Sequence, residues 1–299
     1  MPSRPVLLAL AGALAIAFTG VLVRLADVEP ATAAFWRCAY ALPFLAPLAW
    51  LERRRRGALG ARRHALAAAA GVFFAADLEL WHHSIAAVGA GLSTVVANLQ
   101  VVVVGFVAWL VLGERPEARV LAAVPVALGG VVLISGLGSS AAYGDDPTRG
   151  VVFALLTAVA YAGFLLVIRE AGRGLRTPAE IMLDATAACA VALAVIGGAL
   201  GELALAPSWP AHGWLLTLAV SGQVVGYLAI AASLPRLPAL VVSVLLLVQP
   251  VLSVMLAAAI VDERPSGLQV LGVVLVVAGI VVATAGGRRE REAAVPAEA

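Results

Sequence analysis

Ten continuous apolar runs, each close to the 20 or so residues a helix needs to cross a hydrocarbon core of about 30 Å, occupy most of this chain. They cover roughly residues 6–25, 32–51, 65–87, 91–112, 118–137, 150–168, 179–200, 213–232, 239–261 and 267–286. The strands of a transmembrane barrel alternate polar and apolar residues, whereas these runs do not, so the expected spans are helices. Composition agrees, because 62% of the 299 residues are hydrophobic and only 13% are charged, well below the quarter or so usual in soluble domains. The fold class read from this pattern is all-α, a polytopic membrane bundle. The first run is followed directly by a second and is expected to be a retained helix. Cys38 and Cys189 fall inside runs and imply no disulfide framework.

Arginine sets the expected orientation, since the chain has no lysine. With a cytoplasmic N-terminus, alternate loops collect Arg4, Arg53 to Arg56, Arg62, Arg63, Arg115, Arg119, Arg169, Arg173, Arg176, Arg236, Arg288, Arg289 and Arg291, which is 16 of the 20. Arg24, Arg149 and Arg264 fall on the other side, and Arg37 lies within a run. The positive-inside rule therefore places both termini in the cytoplasm and supports an even number of spans. The basic stretches are short and flank helices, so no nucleic-acid partner is expected.

The chain also matches itself. "NLQVVVVGFVAWLVLGERP" (residues 98–116) aligns without gaps on "LVQPVLSVMLAAAIVDERP" (residues 247–265), placing Gln100 on Gln249 and Glu114, Arg115 and Pro116 on Glu263, Arg264 and Pro265. Val124, Gly130 and Val132 continue the register onto Val273, Gly279 and Val281. Two related halves follow, 1–143 and 144–299, joined by "SGLGSSAAYGDDPTRG". Each half has five spans, so the second enters the membrane from the opposite face, and the result is two inverted five-helix repeats. Secondary transporters use such repeats to build two exchangeable conformations around a site near the midplane.

Ten helices in two halves, the "LGERP" and "VDERP" endings of the fourth and ninth spans, and "LLVQPVLSV" in the ninth together resemble the drug/metabolite transporter superfamily, EamA type. "VEPATAAFWRCAYALP" and "DLELWHHSIAAVGAGLSTVVANLQ" resemble a branch that contains amino-acid and metabolite exporters. The resemblance covers essentially the whole chain and implies transport, with export as its direction. Pro250 in the ninth span stands opposite Val101 in the fourth, so a backbone break is expected in one half only.

The third span buries an unusual polar set in "FFAADLELWHHSIAAV" (residues 73–88). An ionised side chain at the bilayer centre costs at least about 2.5 to 3.5 kcal/mol, so the bundle must have a polar interior at that level. At about 100° per residue, Glu79, His82 and His83 crowd one side of the helix, and Asp77, Trp81 and Ser84 another. Either the first group faces inward while Asp77 and Ser84 hydrogen-bond neighbouring helices, or Asp77 faces inward with Trp81 as an aromatic wall. Arg37, the one arginine deep in a span, lies at similar depth and is expected to pair with Glu79 or Asp77. Such a pair is either a structural lock or a source of both signs of charge, suited to a zwitterion.

Gln223 and Tyr227, four residues apart on the eighth span, share a face and overlap the small-residue spacing "GQVVG". Asn98, Gln100 and Gln249 add amides that either bond between helices or touch substrate. Trp36 and Tyr40 line the cavity or face lipid, with lipid expected for Trp36. Adjacent histidines diverge by about 100° and lack a third ligand of suitable spacing, while His64 and His212 lie near loops, so no metal site is expected. Without a phosphate loop or nucleophile elbow, neither an enzyme nor a cofactor is expected.

The candidate substrate-binding set is Glu79, Trp81, His82, His83, Arg37, Asp77, Gln223, Tyr227, Asn98 and Gln249. The expected function is a secondary transporter in a bacterial inner membrane, monomeric and lipid-embedded, exporting small metabolites with amino acids as the leading class. The rivals are an exporter of organic cations and a non-transporting lipid-handling or receptor component.

Overall fold

The computed structural model describes residues 3–134, 146–175, 178–206, 208–252 and 266–284. The joining segment 135–145, the Glu263, Arg264 and Pro265 motif and the basic tail lie outside these residues. Among the described residues there is no strand. The helices are α1 (Arg4–Ala17), α2 (Thr19–Ala26), α3 (Pro30–Arg56), α4 (Ala61–Ala97), α5 (Gln100–Leu112), α6 (Ala118–Ile134), α7 (Pro147–Ala171), α8 (Ala179–Leu200), α9 (Ala211–Leu218), α10 (Tyr227–Ser233), α11 (Ala239–Leu246) and α12 (Gly267–Thr284). A π-helical segment, Ala219–Gly226, joins α9 to α10. Ten helical passes result: α1 and α2 together make the first, and α9, the π segment and α10 the eighth. Among the described residues five stretches, Ala61–Ile85, Val95–Leu112, Thr148–Ala171, Ala179–Leu200 and Ala211–Arg236, are long and apolar enough to cross a membrane.

Packing between passes follows a two-fold pattern. α3 lies against α8, α5 against α11 and α6 against α12, which are the second, fourth and fifth passes against their counterparts in the other half. The first pass lies against the eighth, and the third against the sixth, which is the same relation with the halves exchanged. Small residues make these approaches possible. A Cβ on Gly71 of α4 would come within 2.2 Å of the Ala185 carbonyl oxygen on α8, and one on Gly130 of α6 within 2.6 Å of the Gly272 oxygen on α12.

The arginine-rich loops gather at one end of the bundle. Arg62 pairs with Glu170 at 3.4 Å, Arg63 donates to the Arg173 carbonyl at 3.0 Å, and Arg169 pairs with Glu114 while donating to the Leu234 carbonyl at 2.9 Å. Glu114 also accepts from the Ala239 amide at 3.1 Å, so the motif that ends the fourth pass caps the start of the ninth.

Two expectations about breaks need correction. α4 carries helical backbone beyond the expected boundary near residues 87–91, as far as Ala97. Ala87 accepts from the Asp146 amide at the start of α7, yet Glu114 reaches Arg169 near its end, so the chain has reversed between them. The backbone break expected in one half occurs in both. α5 starts only after a turn at Asn98 and Leu99, and α11 stops at a turn at Leu247, which is the position matched by Asn98. Pro250 is therefore not what separates the two halves; both interrupt the helix within two residues before the repeat-related amides Gln100 and Gln249.

Candidate substrate site

Arg37 is the centre of the polar interior. It projects from α3, is only 5% exposed, and its Nε donates to Gln223 Oε1 at 3.2 Å. Gln223 in turn donates through Nε2 to Thr186 Oγ1 on α8 at 3.1 Å. The guanidinium carbon sits 5.6 Å from the Phe74 ring centroid and 5.5 Å from that of Tyr227, positions where the ring faces attract a cation. Phe74 stacks on Phe164 at 4.7 Å and meets Tyr227 edge-on at 4.8 Å, and Tyr161 lies 6.0 Å from Phe164. The result is a cation held among aromatic walls by the neutral amide of Gln223 and the hydroxyl of Tyr227.

This seat straddles the two-fold relation between the halves. The offset that puts Asn98 on Leu247 also puts Arg37 on Thr186 and Phe74 on Gln223. Four groups around one point are thus two repeat-related pairs in which one half supplies charge and ring, and the other hydroxyl and amide. Gln223 reaches the seat from the π segment, whose wider turns are frequent at functional sites. The segment also brings backbones close, because a Cβ on Gly12 of α1 would come within 2.7 Å of the Gly226 oxygen.

The expected ion pair is not formed: neither Asp77 nor Glu79 pairs with Arg37. Asp77 is 8% exposed and lies in the field of Arg37, close to Tyr161 and Tyr227. It feels the attraction of Arg37 without forming an ion pair with it. Arg37 Nη2 is buried without a hydrogen-bond partner among the described residues. The physical reason is depth and phase. Arg37 is level with Phe74 rather than with Glu79, and Glu79 projects from a different side of α4 than Asp77. Glu79 instead pairs with His83 at 3.3 Å, beside Glu202 from the segment after α8. The two expected arrangements of the third span are mixed: Asp77 lies toward Arg37, as in the second, while Ser84 bonds a neighbouring helix, as in the first. Ser84, expected to bond a neighbouring helix, donates to the Gly150 carbonyl at 2.9 Å.

His82 donates through Nδ1 to the Leu78 carbonyl at 2.6 Å, leaving Nε2 buried and unpartnered, and packs edge-on against Trp81 at 5.3 Å. Asn98 and Gln249 are half-buried beside the two helix breaks and away from the contacts of Arg37. Trp36 does not simply face lipid. Its Nε1 donates to the Ala204 carbonyl at 2.9 Å, and its ring lies 4.8 Å from Tyr40, whose hydroxyl shares a hydrogen bond with His212. Sequence reasoning missed Thr186, Phe74, Tyr161, Phe164 and Glu202. The repeat offset carries the signal for Thr186 and Phe74, and nothing in the sequence singles out Glu202.

A family model described as the EamA-like transporter family matches residues 3–136 and again residues 148–285. A solved crystal structure superposes with a TM-score of 0.79 at 18% identity, over 97% of this chain and 99% of that one, a likeness of fold. Among curated proteins, none matches.

Proposed function

The chain belongs to the EamA-like transporter family of the drug/metabolite transporter superfamily, and from that premise we propose that it exports amino acids or closely related zwitterions. The observation that carries the substrate class is a guanidinium and a carboxyl group that share one interior and do not pair with each other. Asp77 and Arg37 lie in one aromatic-walled interior without forming an ion pair, and Arg37 Nη2 has no hydrogen-bond partner among the described residues. A free amino acid supplies what each lacks, its ammonium for Asp77 and its carboxylate for Arg37, and charge-assisted bonds of this kind are the strong ones. Gln223 holds the guanidinium in place, while Tyr227, Trp81 and His82 border the substrate. Residues 1–143 and 144–299 form the two halves that rock about this point. Both termini and the basic end face the cytoplasm of a bacterium, in whose inner membrane the monomer sits.

The test is counterflow in proteoliposomes, with labelled amino acids and one lipophilic organic cation as competitors. Competition by zwitterions and none by the cation is expected. Competition by the cation alone overturns the substrate class in favour of an organic-cation exporter, which would use Asp77 and the rings. Absence of solute movement for the whole panel overturns the amino-acid reading.

A further inference from the structure

Away from Arg37, at the end of the bundle opposite the basic loops, Glu79, His83 and Glu202 converge, and we infer that they form a binding site for a divalent cation of the zinc class. Glu79 and His83 are four residues apart on one face of α4, and His83 is six residues beyond Asp77, about 9 Å along the helix. Glu202 comes from the other half of the chain. One ligand atom from each of the three lies within 4.8 Å of the others, and Glu79 Oε1 is 3.3 Å from His83 Nε2. A tetrahedral zinc ion with bonds of about 2.1 Å sets its ligand atoms about 3.4 Å apart, so this pair already spans one edge of the required figure.

Two further observations separate the cluster from a casual grouping of surface acids. Glu79 is only 8% exposed, and its Oε2 is buried with no hydrogen-bond partner among the described residues. A carboxylate oxygen in that position is an acceptor lacking a donor or a cation. Glu202 is also held in place. Left-handed Gly201 (φ 74°) ends α8, after which the Glu202 amide donates to the Gly197 carbonyl at 2.9 Å. The Glu202 carbonyl accepts from Thr32 Oγ1 at 2.9 Å, and that same hydroxyl oxygen accepts from the Ala204 amide at 2.8 Å. α3 thus fixes the backbone of Glu202 and leaves its carboxylate for the cluster.

Two carboxylates sharing a partly desolvated site repel one another unless a positive charge lies between them. One imidazole and two carboxylates make a mixed nitrogen and oxygen set that suits zinc and supplies too few oxygens for calcium. Water completes the fourth position. Bound there, the ion ties α4 of the first half to the end of α8 in the second and holds that end of the bundle closed.

Binding is read on the full-length, tag-free protein in detergent, independently of transport and hence of the substrate reading. Calorimetric titration with zinc chloride is expected to give one saturable site, and cobalt(II) the visible absorption of a low-coordinate complex. Glu79→Gln, His83→Gln and Glu202→Gln are each expected to weaken zinc by at least the roughly tenfold that even outer partners of a metal site carry. The His64→Gln, His212→Gln double variant is expected to bind as the parent does. Glu202→Gln decides the matter if the two helical variants fold poorly, because the latch at residue 202 uses backbone atoms only. Absence of a saturable site, or undiminished affinity in Glu202→Gln, overturns the proposal.

Discussion

Arg37 is held by partners that carry no full negative charge, which makes it sensitive to what stands nearby. Removing it takes the donor from Gln223 Oε1, a buried acceptor whose loss of partner costs roughly 1 to 3 kcal/mol, and strips Asp77 of the cation in its field. Arg37→Ala is therefore expected to lower the yield of monodisperse protein, and adding Asp77→Asn to recover yield without recovering counterflow. Size-exclusion chromatography and counterflow on the same preparations check this. Recovery of yield by Glu79→Gln instead would mean that the guanidinium answers to the other carboxylate. Arg37→Lys keeps the charge but loses the planar face that meets the Phe74 and Tyr227 rings, so counterflow is expected to fall while yield holds. That Arg37 must sit in a polar interior was legible in the sequence, because a lone arginine inside an apolar run has nowhere else to go. Its neighbours were not, because Asp77 and Glu79 lie two residues apart, and linear distance cannot say which of them is level with it.

The π segment sets the geometry of the eighth pass. It presents Gln223 to Arg37 while its glycines let α1 approach, so its two duties compete for the same eight residues, Ala219–Gly226. A Cβ on Gly226 would come within 2.8 Å of Ile16 Cγ1, and one on Gly71 within 2.2 Å of the Ala185 oxygen. The second obstacle is backbone and cannot rotate away, so Gly71→Ala forces α4 from α8, with an overpacking cost of typically about 1 to 3 kcal/mol. Gly129, beside which a Cβ meets nothing within 4 Å, provides the comparison. Thermal unfolding in detergent is expected to shift down for Gly71→Ala and to stay unchanged or rise for Gly129→Ala. The passes themselves could be read from apolar length alone. The paired breaks at Asn98 and Leu247 could not, because proline marks only one of them, and the amide-rich turn that both share has no strong local signature.

At the scale of the molecule, α3 and α8 bring Cys38 and Cys189 to 3.5 Å between sulfurs, both fully buried. In this conformation the two halves are therefore near enough for a thiol cross-link. A membrane-permeant diazene oxidant, which takes up the two electrons and two protons, is expected to join Cys38 to Cys189 and stop counterflow, with recovery on reduction. Cys38→Ala protein should be indifferent to the oxidant. Unimpaired counterflow in cross-linked protein would show that α3 and α8 keep one arrangement throughout the cycle. The pairing of passes described above also bears on how the chain is made. α3, α4 and α6 find their main neighbours in the second half, on α8, α7 and α12, and α5 packs on both α7 and α11, so the first five passes leave the ribosome with their small-residue faces turned to lipid. Assembly thus has to wait for synthesis of the second half, and the covalent link contributes proximity rather than shape. Cutting the gene within residues 135–145 and expressing both fragments together is expected to restore counterflow, while either fragment alone is degraded. A newly inserted first half of this transporter is, in effect, an unfinished subunit whose partner is still being translated.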